Sequence, residues 1–258
     1  MSNIAKAFDH GKAFIGFITG GDPDMETSRQ CILEMARAGA DLIEIGIPFS
    51  DPIAEGPVIQ YADLRALASG ATTDKILDLA ESVRKETDVP MVFMTYLNVV
   101  FKYGYEKFFS RCQQIGMDGV IIPDMPYEEK GEADEVASKY GVDVISLIAP
   151  TSDERIKMIA ADAKGFVYVV SSMGVTGMRS EIKTDLEAIV GEIKKAIDVP
   201  AAVGFGINTP EQARKIAAYA DGVIVGSAIV KIVAEYGKDA PKHVYDYVKS
   251  MKDAIKDL

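Results

Sequence analysis

The chain has 258 residues, of which 48% are hydrophobic and 26% charged, with 39 acidic against 28 basic side chains and a formal net charge of -11. That is long enough for one large α/β core and too acidic to coat a nucleic acid's phosphates. No apolar run reaches membrane-spanning length, and the N-terminus lacks a signal-like apolar block, so a cytoplasmic location is expected.

Strands are expected at 13–19, 42–47, 91–96, 119–123, 143–149, 166–172, 201–207 and 222–228, each a short β-rich apolar run. Amphipathic stretches alternate with them, as at 24–39, 73–87 and 209–220, and read as helices. Strict alternation implies a parallel sheet with right-handed crossovers. The segments AGADLIEIGIP, IGMDGVIIPDMP, YGVDVISLIAP and AYADGVIVGSA echo one another, each passing from a helix end through Asp into an apolar run. The expectation is α/β: a single-domain (β/α)8 TIM barrel over 1–258. The first turn of the chain is extra decoration on that repeat, and so is a helix within GPVIQYADLRALASG, in the loop after the second strand and ending at Gly70. Cys31 and Cys112 fall in helix-like segments without CxxC or metal spacing, and His10 and His243 are too few for a zinc site.

The second strand carries an acid in its middle. In LIEIGI, Leu42, Glu44 and Gly46 share one face while Ile43, Ile45 and Ile47 share the other. The isoleucines suit the layer between strands and helices. Glu44 then points into the barrel near the C-terminal rim, where barrel enzymes place their chemistry. An interior ion pair is the competing explanation, but the strands supply no obvious inward basic partner. A carboxyl in such a setting holds its proton tightly, which suits a general acid/base. The loop that follows, PFSDPIAEGP, is stiffened by Pro48, Pro52 and Pro57 and carries Asp51 and Glu55. Glu55 is the natural second carboxylate.

Glycine-containing turns follow the sixth, seventh and eighth strands: SSMGVTGM, VGFGINTPEQ and VGSAIV. In the second, Asn208 or Thr209 could cap a helix that has Pro210 in its first turn. In the third, Gly226 and Ser227 open a helix. Backbone amides at such starts hold an anion without net positive charge, which reconciles an acidic protein with a phosphorylated ligand. The GVTG loop reads as a lid. Tyr168 shares a strand face with Val170 and could reach the barrel mouth or fill the core.

The blocks GFITGGDPD, LIEIGIPFSDPIAEGPVIQ, MTYLNVVFKYG, IIPDMPYEE, YVVSSMGVTG, GFGINTPEQ and DGVIVGSAIVK occur in this order. Together they closely resemble the tryptophan synthase α subunit family over essentially the whole chain. The resemblance implies retro-aldol cleavage of indole-3-glycerol phosphate to indole and glyceraldehyde 3-phosphate, without a cofactor. It implies a partner β subunit, holding pyridoxal phosphate, in an α2β2 assembly. Carried over, Glu44 matches the general acid/base, and Glu55 stands where the family usually has Asp, beside the indole N–H. Phe17, Asp22, Tyr96, Asp124, Tyr168, Gly177, Gly206, Gly226 and Ser227 match positions around the mouth, the substrate and its phosphate. Thr176 matches the lid threonine, and Asp51, Pro52 and Asn98 match positions facing the β subunit. Ser172 and Met173 depart from the more polar lid of many relatives. The competing expectation is a weakly catalytic subunit that binds the phosphate ligand and activates β, because Glu55 adds a methylene. Another phosphate-binding barrel enzyme, such as a sugar-phosphate isomerase, fits less well, because the inward strand ends lack the Asp, Cys–Asp or Lys such enzymes use.

Overall fold

Runs rich in Val and Ile that follow a helix end make strands here, and each strand lies parallel to the one before it. A computed structural model describes residues 2–150, 152–170, 186–204 and 206–258. The strands are β1 (Ala13–Thr19), β2 (Leu42–Gly46), β3 (Met91–Met94), β4 (Gly119–Ile121), β5 (Asp143–Ile148), β6 (Val167–Val170), β7 (Ala201–Gly204) and β8 (Gly222–Val225). They form a closed barrel in sequence order, with β8 pairing β1. The helices are α1 (Met25–Arg37), α2 (Pro57–Ala68), α3 (Thr73–Arg84), α4 (Leu97–Tyr103), α5 (Tyr105–Ile115) and α6 (Lys130–Lys139). They continue with α7 (Asp153–Ala161), α8 (Leu186–Ala196), α9 (Pro210–Ala217), α10 (Ser227–Tyr236) and α11 (Ala240–Asp253). Among the described residues no helix is long and apolar enough to cross a membrane.

The two strand faces separate as the alternation predicts. Ile43, Ile45 and Ile47 join the large core between barrel and helices. Leu42 joins an inner cluster with Ile15, Val92, Ile121 and Phe166. The floor of that inner cluster is closed by a 3₁₀ turn at Ile4–Phe8, whose Ile4 and Ala7 are buried within it. Ile4 sits so close that a side chain at Gly119 or Gly165 would begin 3.1 or 2.9 Å from its Cδ1. The backbone N–H of Asn3 donates to Asp118 (2.7 Å), and the Ser2 hydroxyl donates to Asp143, tying the turn to β4 and β5.

Several strands end earlier than the apolar runs suggest. β3 stops at Met94, β4 at Ile121 and β8 at Val225, and Ser227 and Ala228 belong to α10. The residues beyond the strand ends remain apolar because they still pack: Ile122 and Ala228 are buried in the helix-side core. The expected strand residues 171, 172 and 205 lie outside the described residues. The helix after β2 forms as expected but ends at Ala68, with Gly70 beyond it in the left-handed region (φ 88°). The segment after β3 makes two helices, because Gly104 at φ 90° breaks the run.

Candidate active site

Glu44 is fully buried, and the register explains its isolation. Its neighbours across the sheet are Phe17 on β1 and Val92 on β3, neither of which can hydrogen bond through its side chain. Neither carboxyl oxygen of Glu44 has a hydrogen-bond partner among the described residues, so the ion-pair explanation fails there. Burial pushes its pKa up to about 8, so near neutrality the group is largely a neutral acid. Tyr168 on β6 belongs to the same inner cluster. Its hydroxyl is pushed well above the usual tyrosine range, first by burial and then by the Glu44 charge. The Tyr168 ring fills the place a side chain at Gly204 would need, since a Cβ there would stand 2.5 Å from the hydroxyl oxygen.

Phe17 lies between two glycines. A Cβ on Gly46 would be 2.8 Å from its ring, and one on Gly226 would be 3.2 Å from it. The ring therefore lies across the mouth, between the strand that carries Glu44 and the start of α10.

The loop after β2 is held down from several sides. The Ala54 N–H donates to the Tyr96 hydroxyl (3.0 Å), and the Phe49 and Tyr96 rings pack 5.3 Å apart. The Gln60 side-chain amide donates to the Glu55 carbonyl (2.7 Å). Glu55 is 9% exposed, and burial pushes its pKa up, offset in part by the neighbouring Asp63 carboxyl of α2 and the Tyr96 hydroxyl. Asp22, 1% exposed, has both oxygens engaged by Arg65 of α2 at 2.8 and 2.7 Å, which fastens the β1–α1 loop to the same helix. Asp124 accepts from the Leu97 N–H (2.8 Å) and holds the start of α4. A cavity of about 310 Å³ opens at the β4–β6 side of the mouth, lined by Ala54, Ile122, Ile145, Leu147, Ala149 and Val170 among others. Most of its wall is apolar, which suits a flat aromatic ring, and Lys130 and Arg155 add two cationic side chains to the lining.

The two candidate anion-binding helix starts differ. At α9, Thr209 and Gln212 form a complete capping box, and Asn208 turns its side-chain amide to the Gly206 carbonyl (2.9 Å). Thr209, not Asn208, is thus the cap, and the Thr209 and Gln212 amides are satisfied within the capping box. At α10, the N-cap is Gly226 and no side chain caps the helix. With no side-chain cap among the described residues, its first amides are suited to receive an anion. Gly226 and Ser227 are half-buried at this start, and Gly206 holds a left-handed φ of 85° after β7.

A family model described as tryptophan synthase alpha chain matches residues 4–257. The chain belongs to the tryptophan synthase α chain family. A tryptophan synthase alpha chain of Lacticaseibacillus casei is 52% identical over 255 residues, covering 99% of this chain and 96% of that one. The α chain crystal structure from Legionella pneumophila superposes with a TM-score of 0.89 at 36% identity, covering 100% of this chain and 98% of the other. A chain of the a2b2 tryptophan synthase complex from Pyrococcus furiosus matches with a TM-score of 0.88 at 34% identity, over 95% of this chain and 99% of that one.

Among the positions matched to the tryptophan synthase α chain pattern, the fold brings Glu44, Glu55, Phe17, Tyr96 and Tyr168 to one end of the barrel. Gly206 stands on the loop after β7, and Gly226 and Ser227 form the start of α10 after β8, at that same end. Thr176, Gly177, Ser172 and Met173 lie outside the described residues. Asp51 is exposed and Pro52 half-buried on the mouth-side loop after β2, and Asn98 is exposed in the first turn of α4. Sequence reading missed three residues here. Thr19, inward on β1 two positions after Phe17, has a fully buried hydroxyl with no partner, and strand alternation alone could have found it. Gly204 lies in the expected strand 201–207 and the turn VGFGINTPEQ, and nothing in the sequence marks it as the glycine that makes room for Tyr168. Asp63 gave no signal, because a carboxyl eight residues from Glu55 becomes its neighbour only once α2 folds back. Among the described residues no three His, Cys, Asp or Glu side chains group to hold a metal ion.

Proposed function

We propose that this chain cleaves indole-3-glycerol phosphate to indole and glyceraldehyde 3-phosphate, as the α subunit of a tryptophan synthase. The observation that carries the reading is Glu44: an inward, unpartnered acid that keeps its proton near neutral pH. In the reaction, Glu44 gives its proton to the indole ring carbon that bears the glycerol chain. The ring nitrogen takes up positive charge, and the Glu55 carboxylate beside it stabilises that charge. The carbon–carbon bond then breaks as the adjacent hydroxyl loses its proton to the Glu44 carboxylate, which restores the acid. Atoms and charge balance without a cofactor. The phosphate sits at the uncapped start of α10, and the apolar cavity receives the ring.

The partner is a β subunit, which carries the pyridoxal phosphate. Its docking face is the mouth-side rim, where Asp51, Pro52 and Asn98 stand beside two strongly exposed apolar side chains, Ile53 (72%) and Phe101 (67%). The location is cytoplasmic. The ligand-binding, weakly catalytic alternative is less favoured, because Glu55 is already buried at the mouth, with its backbone carbonyl held by Gln60.

The test is direct. Incubated with indole-3-glycerol phosphate, the purified chain releases free indole, faster when a β subunit is added. Glu44→Gln lowers indole formation by at least ~10²–10⁴-fold while folding and β binding persist. Turnover of that variant near the wild-type rate would remove Glu44 from the mechanism.

A further inference from the structure

We infer that Tyr96 is a positioning residue for Glu55: its hydroxyl clamps the backbone just before Glu55, as Gln60 clamps it just after, so the carboxyl departs from a fixed main chain. This inference rests on the lyase reading for its functional consequence.

Residues 47–56 run from the end of β2 to the start of α2, outside any strand or helix. Their prolines restrict φ but do not set the path of the loop over the mouth. Contacts set it. Two points of the loop rest on one side chain: the Phe49 ring packs on the Tyr96 ring with centroids 5.3 Å apart, and the Ala54 N–H donates to the Tyr96 hydroxyl at 3.0 Å. Between these points Ser50, Asp51 and Ile53 are exposed. The span thus bows into solvent and is pinned at both feet. Beyond it, the Gln60 side-chain amide donates to the Glu55 carbonyl (2.7 Å), while the Gln60 N–H donates to the Gly56 carbonyl (3.1 Å) in the first turn of α2. Glu55 therefore sits between two clamps, one a residue before it and one at its own carbonyl.

Tyr96 can act as a post because its own backbone is tied down. It is 2% exposed and follows β3 directly. On one side of it the Thr95 N–H donates to the Ile121 carbonyl of β4 (3.0 Å), and on the other the Leu97 N–H donates to Asp124 (2.8 Å). The hydroxyl that receives Ala54 is thereby referred to the barrel wall.

This arrangement answers the extra methylene. A glutamate has one more rotatable bond than an aspartate, and a misplacement of about 1 Å can cost roughly a hundredfold in rate. Clamps on both sides remove the main chain's share of that error and leave the side-chain torsions to bring the carboxylate to the ring nitrogen. The anion site at the start of α10 follows β8 and shares none of these contacts, so Tyr96 acts on rate and leaves phosphate binding alone.

The test compares wild type, Tyr96→Phe and Gln60→Ala in the indole-release assay. Tyr96→Phe keeps the ring against Phe49 and removes the oxygen that receives Ala54. It lowers kcat by ~10–100-fold with KM, and the affinity for glycerol 3-phosphate, changed less than about twofold. Gln60→Ala, which releases the other clamp, lowers kcat in the same way. Unchanged kcat in either variant, or a loss of glycerol 3-phosphate affinity as large as the loss of kcat, overturns the inference. If wild type itself releases no indole, the lyase reading fails and hydrogen exchange decides the clamp independently. Followed by NMR, the Ala54 amide exchanges at least ~10-fold faster in Tyr96→Phe than in wild type, while the β1 amides keep their protection. Equal exchange at Ala54 in the two proteins refutes the clamp.

Discussion

At the scale of single residues, the chemistry follows from which side chains flank an acid. Glu44 stands between Phe17 and Val92, so nothing offsets its loss of water. Between its unfolded value of 4.5 and its folded value of about 8, the native chain binds more protons than the unfolded one. The Glu44 contribution is therefore fully favourable below pH 4.5 and is lost as pH rises through 8. At pH 7 the penalty is on the order of 3 kcal/mol. Glu44→Gln should thus be more stable than wild type at pH 7 to 8, with the difference vanishing near pH 4.5, as urea unfolding at a series of pH values would reveal. A constant difference across that range would contradict the assigned burial. The acid was legible from alternation alone, because one residue of a period-2 pattern broke it. Asp63 was not, since the approach of two carboxyls is a property of folded proximity and leaves no trace in spacing.

At the scale of elements, two neighbouring helix starts with similar glycine-containing approaches take opposite roles. α9 closes a capping box through Thr209 and Gln212, whereas α10 begins at a glycine and has no side-chain cap among the described residues. Thr209→Ala should cost about 1 kcal/mol of stability, measured by chemical denaturation, while the affinity for glycerol 3-phosphate stays within twofold of wild type. A large loss of affinity would move the anion site to α9. The sequence left Asn208 and Thr209 level as caps, because both side chains can accept the bond. The fold separates them by giving Asn208 the Gly206 carbonyl instead. The same ambiguity hid the end of β8, where VIVGSAIV is apolar on both sides of Gly226 and Ser227 and composition cannot tell a strand from the helix that continues it.

At the scale of the whole molecule, the barrel is stoppered at one end and reactive at the other. The repeat of Asp followed by an apolar run made the eight strands readable, and β1 falls at the expected 13–19 because its run ends in two glycines. The stopper was visible only as surplus chain, since nothing in Ile4–Phe8 says that it folds beneath the strands. Ile4→Ala should remove about 2–4 kcal/mol of stability, lowering Tm by several degrees, with kcat and KM unchanged where the variant is folded. Unchanged thermal stability would show that the floor bears no load. The opposite end has a different economy of space. Because the Phe17 ring lies between Gly46 and Gly226, a side chain at Gly46 needs residue 17 to shrink or turn, and one at Gly226 needs the ring to give by a few tenths of an ångström. A change at any one of the three positions therefore alters the room at the others, across β1, β2 and the start of α10.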